Sequence, residues 1–431
     1  MSLVRPFRAR IYSPDAGRDL STRIAPPYDV VTAEGRAELL SRDPFNAVAL
    51  ELPEGPLDPS LPGNRYETGR TTWQSWLQQG VLVDDGSPAI YVLEQDWMYE
   101  GRPCRRRGFI AAVRLHPLSA GVVLPHERTL PRALTDRLNL TRATCANLSQ
   151  VFGLFTDPDC ASAALLDTAT AAVPLFTAHG SDGVFNSLWA IRDPEAIAAV
   201  VNLIGEGPIF IADGHHRYTT ALAYRDERRA ADAEAGAIPP DPAYDFVMMA
   251  LVNMDDPELL VLPMHRLARS EGAFDAAAFW AAVAEHFDLA DIVPEPHPKL
   301  DPITDTTSFI VKTSDGTTRL ATLRADVDPA AAIQSEHTDA WKRLDVTVLQ
   351  ELVLRPIFGI DPDDPATLDR LSFVKDAAEA LQVRGADVAF VVAPTRMVQL
   401  RNVALAGETM PQKSTYFYPK LASGLLYRPL D

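Results

Sequence analysis

The sequence predicts a mixed α/β fold, because two kinds of pattern alternate along the chain. Short apolar runs rich in β-branched residues are typical of buried strands, and longer segments with helical periodicity lie between them. Strands and helices that interleave without a fixed repeat length favour layered α/β or α+β architectures over a solenoid or a barrel. A length of 431 residues is enough for two or three ordinary domains.

Apolar runs of strand length predict strands over residues 47–52, 89–94, 107–115, 208–212, 246–252, 308–311 and 388–392. Helical periodicity predicts helices over residues 65–79, 194–204, 215–229, 274–287 and 377–383. Two stretches rich in proline or charged residues, 230–242 and 291–305, are typical of linkers or surface insertions. We place the domain boundary at the second stretch. This predicts a core domain over residues 1–290 and a second α/β region over 291–431, whose C-terminal tail returns to the site of the core domain.

Composition narrows the classes of partner. A formal net charge of -18 repels nucleic acid and anionic lipid, so we expect neither as a partner. The exception is a short basic run, Arg102 and Arg105–Arg107, which we predict to be a solvated edge strand of a hairpin. Three cysteines without metal-ligand spacing favour a reducing compartment. With no signal-like N-terminus and no long apolar run, the sequence predicts a cytoplasmic protein.

The most informative segment is 208–217, which reads Pro-Ile-Phe-Ile-Ala-Asp-Gly-His-His-Arg. An apolar strand is followed by Gly214 and then by a helical stretch, so a strand-to-helix turn gathers Asp213, His215, His216 and Arg217. The amides and the dipole of a helix N-terminus favour an anion. The segment therefore predicts a phosphate-binding active site, with Asp213 also a candidate metal ligand.

A purely structural interpretation of this turn stays open. Asp213 is then only a helix N-cap, Gly214 only a turn residue, and the histidines only solvated side chains. Two histidines and an arginine in a first helical turn oppose the usual preference for acidic residues there, which favours the functional interpretation.

Four further places in the sequence supply candidate site residues. The segment 125–129 contains His126 and Glu127, candidates for a general base or a metal ligand. His126, Arg128 and Thr129 are also candidates for binding phosphate, although a simple exposed turn explains the segment equally well. Lys413, Ser414 and Thr415 offer a charge and two hydroxyls to phosphate oxygens, without the glycine-rich lead of a P-loop. Candidates for a substrate pocket are Tyr28, Asp29 and Asn147.

Taken together, the segments 26–30, 125–129, 212–218 and 410–420 resemble the DUF1015 family of uncharacterised bacterial and archaeal proteins, over nearly the whole chain. The turn itself is similar to the Gly-x-His-Arg turn of the ParB/sulfiredoxin superfamily, which includes free-serine kinases. That resemblance implies a ParB/sulfiredoxin-like core with mixed sheets and surrounding helices, elaborated by the second α/β region. It also implies that the turn receives nucleotide phosphates: Gly214, His216 and Arg217 match it, and Asp213 and His215 match its kinase-like form.

Several functions compete for these residues. We favour a phosphotransferase that uses ATP or ADP with Mg²⁺ on a small hydroxyl metabolite, free serine being one candidate, with Asp213 or Glu127 accepting the proton or holding the metal. The alternative is a phosphatase for a small phosphometabolite such as phosphoserine, with His215 or His216 as phosphoryl acceptor or general acid. A non-catalytic, nucleotide-gated ParB-like protein ranks lower, because the sequence has no helix rich in lysine and arginine. A metal-dependent hydrolase also ranks lower, because the side chains of adjacent histidines in a helix point in different directions and rarely bind one ion together.

Overall fold

A computed structural model of the chain describes residues 2–127, 131–205, 207–295, 298–300, 306–362 and 364–431. Its strands are β1 (Val4–Arg5), β2 (Arg10–Tyr12), β3 (Leu82–Asp84), β4 (Ile90–Tyr99), β5 (Arg102–Arg114), β6 (Val123–Leu124), β7 (Ala146–Asn147), β8 (Val151–Phe155), β9 (Phe176–His179), β10 (Phe185–Ile191), β11 (Ile209–Asp213), β12 (Phe246–Asn253), β13 (Leu260–Leu262), β14 (His265–Ala268), β15 (Phe287–Asp291), β16 (Ser308–Thr313), β17 (Thr318–Leu323), β18 (Leu371–Val374), β19 (Val388–Val391), β20 (Tyr416–Tyr418) and β21 (Arg428–Pro429).

The α-helices are α1 (Ala33–Arg42), α2 (Val48–Glu51), α3 (Arg65–Gln78), α4 (Pro131–Thr144), α5 (Ala161–Thr170), α6 (Pro194–Gly205), α7 (His215–Glu234), α8 (Ala276–Val283), α9 (Pro329–Ala332), α10 (Asp339–Lys342), α11 (Asp345–Leu349), α12 (Arg355–Phe358), α13 (Pro365–Leu368), α14 (Ala377–Ala380) and α15 (Met397–Leu405). One π-helical segment, Gln350–Leu354, joins α11 to α12. The predicted mixed α/β class is confirmed.

The chain divides into two compact units, and the first carries the Asp213 turn. This unit comprises residues 1–125, 129–259 and 419–431. Its main sheet has the order β6-β11-β8-β12-β5-β4-β10-β9, with β1 beside β5, and it is mixed because β6 and β12 run parallel to their neighbours β11 and β8. Helices α5, α6 and α7 bury apolar side chains such as Leu166, Val200 and Tyr218 against one face of this sheet.

The second unit comprises residues 126–128 and 260–418. It has an antiparallel sheet of order β15-β17-β16-β19-β14-β18 and a small ribbon of β13 with β20. Its core includes a cluster of aromatic rings from Phe279, Phe358 and Phe390, with ring centroids about 6 Å apart.

The division between the units differs from the boundary that we place near residue 291. In the structure the chain passes from the first unit to the second after Leu259. The reason is that β14 pairs with β18 and β19, which lie much later in the sequence and belong to the second unit. Residues 419–431 belong to the first unit, where β21 pairs with β7.

Among individual elements, the strand predicted over residues 47–52 is wrong. That stretch contains the buried one-turn helix α2, which begins where the Asn46 side chain accepts a hydrogen bond from the amide of Val48 at 2.9 Å. A short apolar run cannot distinguish a buried helical turn from a strand by periodicity alone. The helix predicted over residues 274–287 is shorter, ending at Val283.

Candidate functional site

The Asp213 turn is built at the end of a fully buried strand. Ile209, Phe210 and Ile211 are each no more than 1% exposed, and a register shift against β8 falls between Ile211 and Asp213. The following helix α7 is fixed by Tyr218, whose hydroxyl donates to the carbonyl of His116 at 2.9 Å. The turn therefore lies between two elements that are anchored in the core, as a preorganised site requires.

Gly214 meets two requirements of the turn at once. Its φ is +87°, in the left-handed region that favours glycine. A Cβ atom at this position would lie 2.8 Å from Nε and 2.9 Å from Nη2 of Arg217. Glycine is thus needed both for the backbone and for the guanidinium that lies against it.

Asp213 is not a helix cap. The N-cap position is Gly214, which makes no side-chain hydrogen bond, and the Asp213 carboxylate instead accepts from two cations. Arg217 Nη2 donates to Oδ2 at 2.7 Å, and Lys420 Nζ donates to Oδ1. Burial alone would raise the pKa of Asp213, but Lys420 and Arg217 outweigh it and lower that pKa to about 2.

A third cation, Arg106, lies buried beside the same carboxylate. Arg106 is 2% exposed, its guanidinium lies 4.6 Å from the centroid of the Phe152 ring, and its Nη2 donates to the Pro419 carbonyl at 2.6 Å and to Gln95. Burial lowers the pKa of Arg106 to about 9, and Asp213 counteracts that effect, so the guanidinium stays charged at neutral pH. Its Nη1 has no hydrogen-bond partner among the residues that the structure describes.

These groups leave the site short of negative charge. Three cations, Lys420, Arg217 and Arg106, interact with one carboxylate, Asp213. A buried guanidinium N–H without an acceptor costs about 1–3 kcal/mol, which an anionic ligand or a water molecule would recover. The arrangement is therefore suited to bind an anion with several acceptor oxygens.

The predicted pocket residues lie partly near Arg217. Tyr28, Asn147 and Arg217 line one cavity of about 50 Å³, whose walls also include the buried hydroxyl of Thr220, without a partner among the described residues. This volume holds a few water molecules at most and no nucleotide. The side-chain Oδ1 of Asn147 already accepts from the Met248 amide at 3.0 Å, and Asp29 is exposed and does not line the cavity.

The second group of predicted residues lies in the second unit. His126 Nε2 is 3.0 Å from Thr415 Oγ1, and the Lys413 amide donates to Glu127 Oε1 at 3.0 Å. The structure thus brings the described part of the first segment, His126 and Glu127, next to Lys413 and Thr415. The hydroxyl of Ser414 donates to the carbonyl of Pro411, so it is engaged within the loop, and the Lys413 side chain is exposed. Arg128 and Thr129 lie outside the described residues.

Metal binding finds no support in the described residues. They contain no group of three or more His, Cys, Asp or Glu side chains placed to hold one ion. The two oxygens of Asp213 are engaged by Lys420 and Arg217, so this carboxylate does not fit a Mg²⁺ site. His215 is buried and His216 half-buried, both in the first turn of α7.

Sequence reasoning missed both Lys420 and Arg106. One feature of the composition distinguishes Lys420: it is the only lysine in the sequence of the first unit, whose other basic residues are arginine and histidine. The solvated edge strand predicted for the arginine run is wrong at Arg106. Side chains alternate along β5, so the middle arginine of 105–107 points away from the other two and is buried.

Substituting Gly214 separates its two roles. Gly214→Ala should lower the free energy of unfolding by about 1 kcal/mol, because alanine is unfavourable in the left-handed backbone conformation. The loss should exceed this value, because the new Cβ atom also forces the Arg217 side chain to move. The matched control is Gly236→Ala, since Gly236 has φ +91° and a Cβ atom there would meet no other atom within 4 Å. Equal losses in urea unfolding of the two variants would show that the contact with Arg217 contributes nothing.

A family model described as "Protein of unknown function (DUF1015)" matches residues 4–347. The chain belongs to the DUF1015 family. The membership predicted from the four segments is confirmed, and the match includes the whole Asp213 turn. The family description assigns no activity, and a comparison with curated proteins gives no match.

Among solved structures, this DUF1015 chain is similar to a mutant free serine kinase in complex with ADP, with 12% identity, a TM-score of 0.32, and coverage of 68% of this chain and 83% of that one. It is also similar to C-terminally truncated SbnI from Staphylococcus aureus, with 13% identity, a TM-score of 0.34, and coverage of 74% and 87%. At these scores neither likeness bears on activity. Among the described helices, none combines the length and apolar composition needed to cross a bilayer.

Proposed function

We propose that the first unit is a phosphotransferase site that binds the phosphates of a nucleotide, ATP or ADP, and transfers a phosphoryl group to a small hydroxyl metabolite. One observation carries this proposal: a single ionised carboxylate, Asp213, is surrounded by Lys420, Arg217 and the partly unsatisfied Arg106. Phosphoryl transfer depends mainly on positioning and on cations that offset the charge of the transferred group.

The site residues take distinct roles in this proposal. Lys420 and Arg217 hold phosphate oxygens. The buried Arg106, which lies against the Phe152 ring, adds a third positive charge. Asp213 keeps Lys420 and Arg217 in place before the ligand arrives. Its pKa of about 2 makes it a poor proton acceptor at neutral pH, so we assign it positioning and not general base catalysis. His215 and His216 are the candidates for proton transfer.

Isothermal titration calorimetry of the full chain against ATP, ADP and inorganic phosphate tests binding. Arg217→Gln should weaken binding of all three by tenfold or more, because one charge-assisted contact is lost. Arg229→Gln is the matched control: Arg229 lies on the same helix α7 and pairs with an aspartate, Asp245, away from the turn. If none of the three probes binds, or if both variants bind like the wild type, the anion site is refuted.

Phosphorus NMR then distinguishes the reactions. Loss of phosphate from ATP or ADP that depends on an added hydroxyl compound, with L-serine as first trial, supports the transferase. Release of inorganic phosphate from phosphoserine in the absence of nucleotide would refute the transferase and support the alternative, a phosphatase. Binding without either reaction would refute catalysis and leave a nucleotide-binding protein.

A further inference from the structure

The second unit contains a cavity of about 330 Å³, within the size range of small-molecule sites. Three walls enclose it. One carries His337 and Trp341, another is the π-helical segment with Gln350 and Glu351, and the third is the chain segment Thr409 to Gln412. Single π-helical turns within helices are frequent at functional sites. None of these residues belongs to the proposed phosphotransferase site.

The first wall presents a fixed aromatic surface. The His337 ring stacks on the Trp341 indole, with centroids 4.0 Å apart and planes 20° apart. His337 Nδ1 lies 2.8 Å from Glu408 Oε1, and the indole N–H donates to the Thr409 carbonyl at 3.0 Å. Trp341 covers one face of the histidine ring, and about a third of the histidine side chain remains exposed. A flat ring could therefore continue this stack.

The second wall carries more carboxylates than cations. Arg355 donates to Glu351 through Nε at 3.0 Å and to Asp361 through Nη1 at 2.6 Å. One guanidinium thus faces two carboxylates, and Glu408 adds a third beside His337. This surplus of acid repels a phosphate. The Nε2 groups of Gln350 and Gln334 donate to the carbonyls of Ile360 and Ala331, and their side-chain oxygens together with the Gln412 amide can pair with the edge of an uncharged ring.

We propose that this cavity binds an uncharged nitrogen heterocycle of nucleoside size, stacked on His337. Three observations support this proposal: the volume of the cavity, the stack of His337 on Trp341 that Glu408 holds in place, and the excess of carboxylates around Arg355. The ligand preference is opposite to that of the Asp213 site, which requires a phosphate.

Adenosine and AMP are the probes, titrated into full-length Arg217→Gln protein so that phosphate binding at the Asp213 site is weakened. We expect adenosine to bind, and AMP to bind on the order of tenfold more weakly because of the acidic wall. His337→Leu should weaken adenosine binding tenfold or more. The matched control is His179→Leu, since His179 also packs against an aromatic ring, that of Phe185 at a centroid distance of 4.5 Å, but lies in the first unit.

A second variant gives a readout that misfolding does not mimic. Glu351→Gln removes one negative charge from the second wall. It should therefore bring the affinity for AMP closer to the affinity for adenosine, while adenosine still binds. The proposal is overturned if adenosine does not bind, if AMP binds as tightly as adenosine, or if His337→Leu and His179→Leu bind adenosine equally. Each of these results leaves the phosphotransferase proposal untouched, because that proposal is tested separately by titration of the wild-type protein with ATP, ADP and inorganic phosphate.

Discussion

Replacing Lys420 by methionine should lower the affinity for ADP and inorganic phosphate by tenfold to a hundredfold, about 1.5–3 kcal/mol. Lys420 supplies one of the three charges around Asp213, and methionine keeps the length of the side chain without the charge. Asp213 keeps its contact with Arg217 in this variant, so we expect the protein to stay folded. Calorimetric titration measures the affinity, and thermal unfolding checks the fold.

Two variants control this result. Lys420→Arg restores a cation and should recover part of the affinity, which a packing role of the side chain would not predict. Lys342→Met removes a lysine whose Nζ contacts only the Ala330 carbonyl among the described residues, and it should bind like the wild type. A Lys420→Met protein with normal phosphate affinity would remove Lys420 from the site.

Arg106→Met should weaken phosphate binding by at least tenfold while lowering the free energy of unfolding by no more than about 2 kcal/mol. The substitution leaves the Pro419 carbonyl without its donor, which costs stability. It also removes a buried charge whose Nη1 has no acceptor among the described atoms, which offsets part of that cost.

Arg428→Met is the matched control for Arg106. Arg428 is also 2% exposed, and burial lowers its pKa to about 9 as well, but its Nη1 and Nη2 donate to the carbonyls of Phe246 and Ala243, so that only its Nε has no acceptor among the described residues. We expect Arg428→Met to lose more stability than Arg106→Met and to keep phosphate affinity. The reverse pattern, an unstable Arg106→Met protein that binds phosphate normally, would make Arg106 a structural residue.

The parts of the fold that the sequence predicts well are those where local pattern and tertiary contacts agree. β11, the Gly214 turn and α7 are such a case: a β-branched run, a glycine and a helical stretch lie in direct succession. The run 47–52 is the opposite case, because it forms a helical turn beside a hydrogen bond from the Val48 amide to the Asn46 side chain, which its own periodicity does not reveal.

The candidate site could be predicted only where its residues are neighbours in the sequence. Asp213 and Arg217 occupy one turn, whereas Lys420 reaches Asp213 from 207 residues away. The register that buries Arg106 between Gln95 and the Pro419 carbonyl is likewise set by pairing between strands, which no local pattern encodes. The unit boundary is missed for the same reason, because β14 pairs with strands about a hundred residues later.

The return of residues 419–431 to the first unit has a consequence for synthesis. Domains generally fold as units while the chain emerges from the ribosome, N-terminal parts first. A nascent chain that has reached Leu259 already contains Asp213, Arg217 and Arg106, but Lys420 is translated only after the entire second unit. The cation set therefore stays incomplete until translation has passed that lysine.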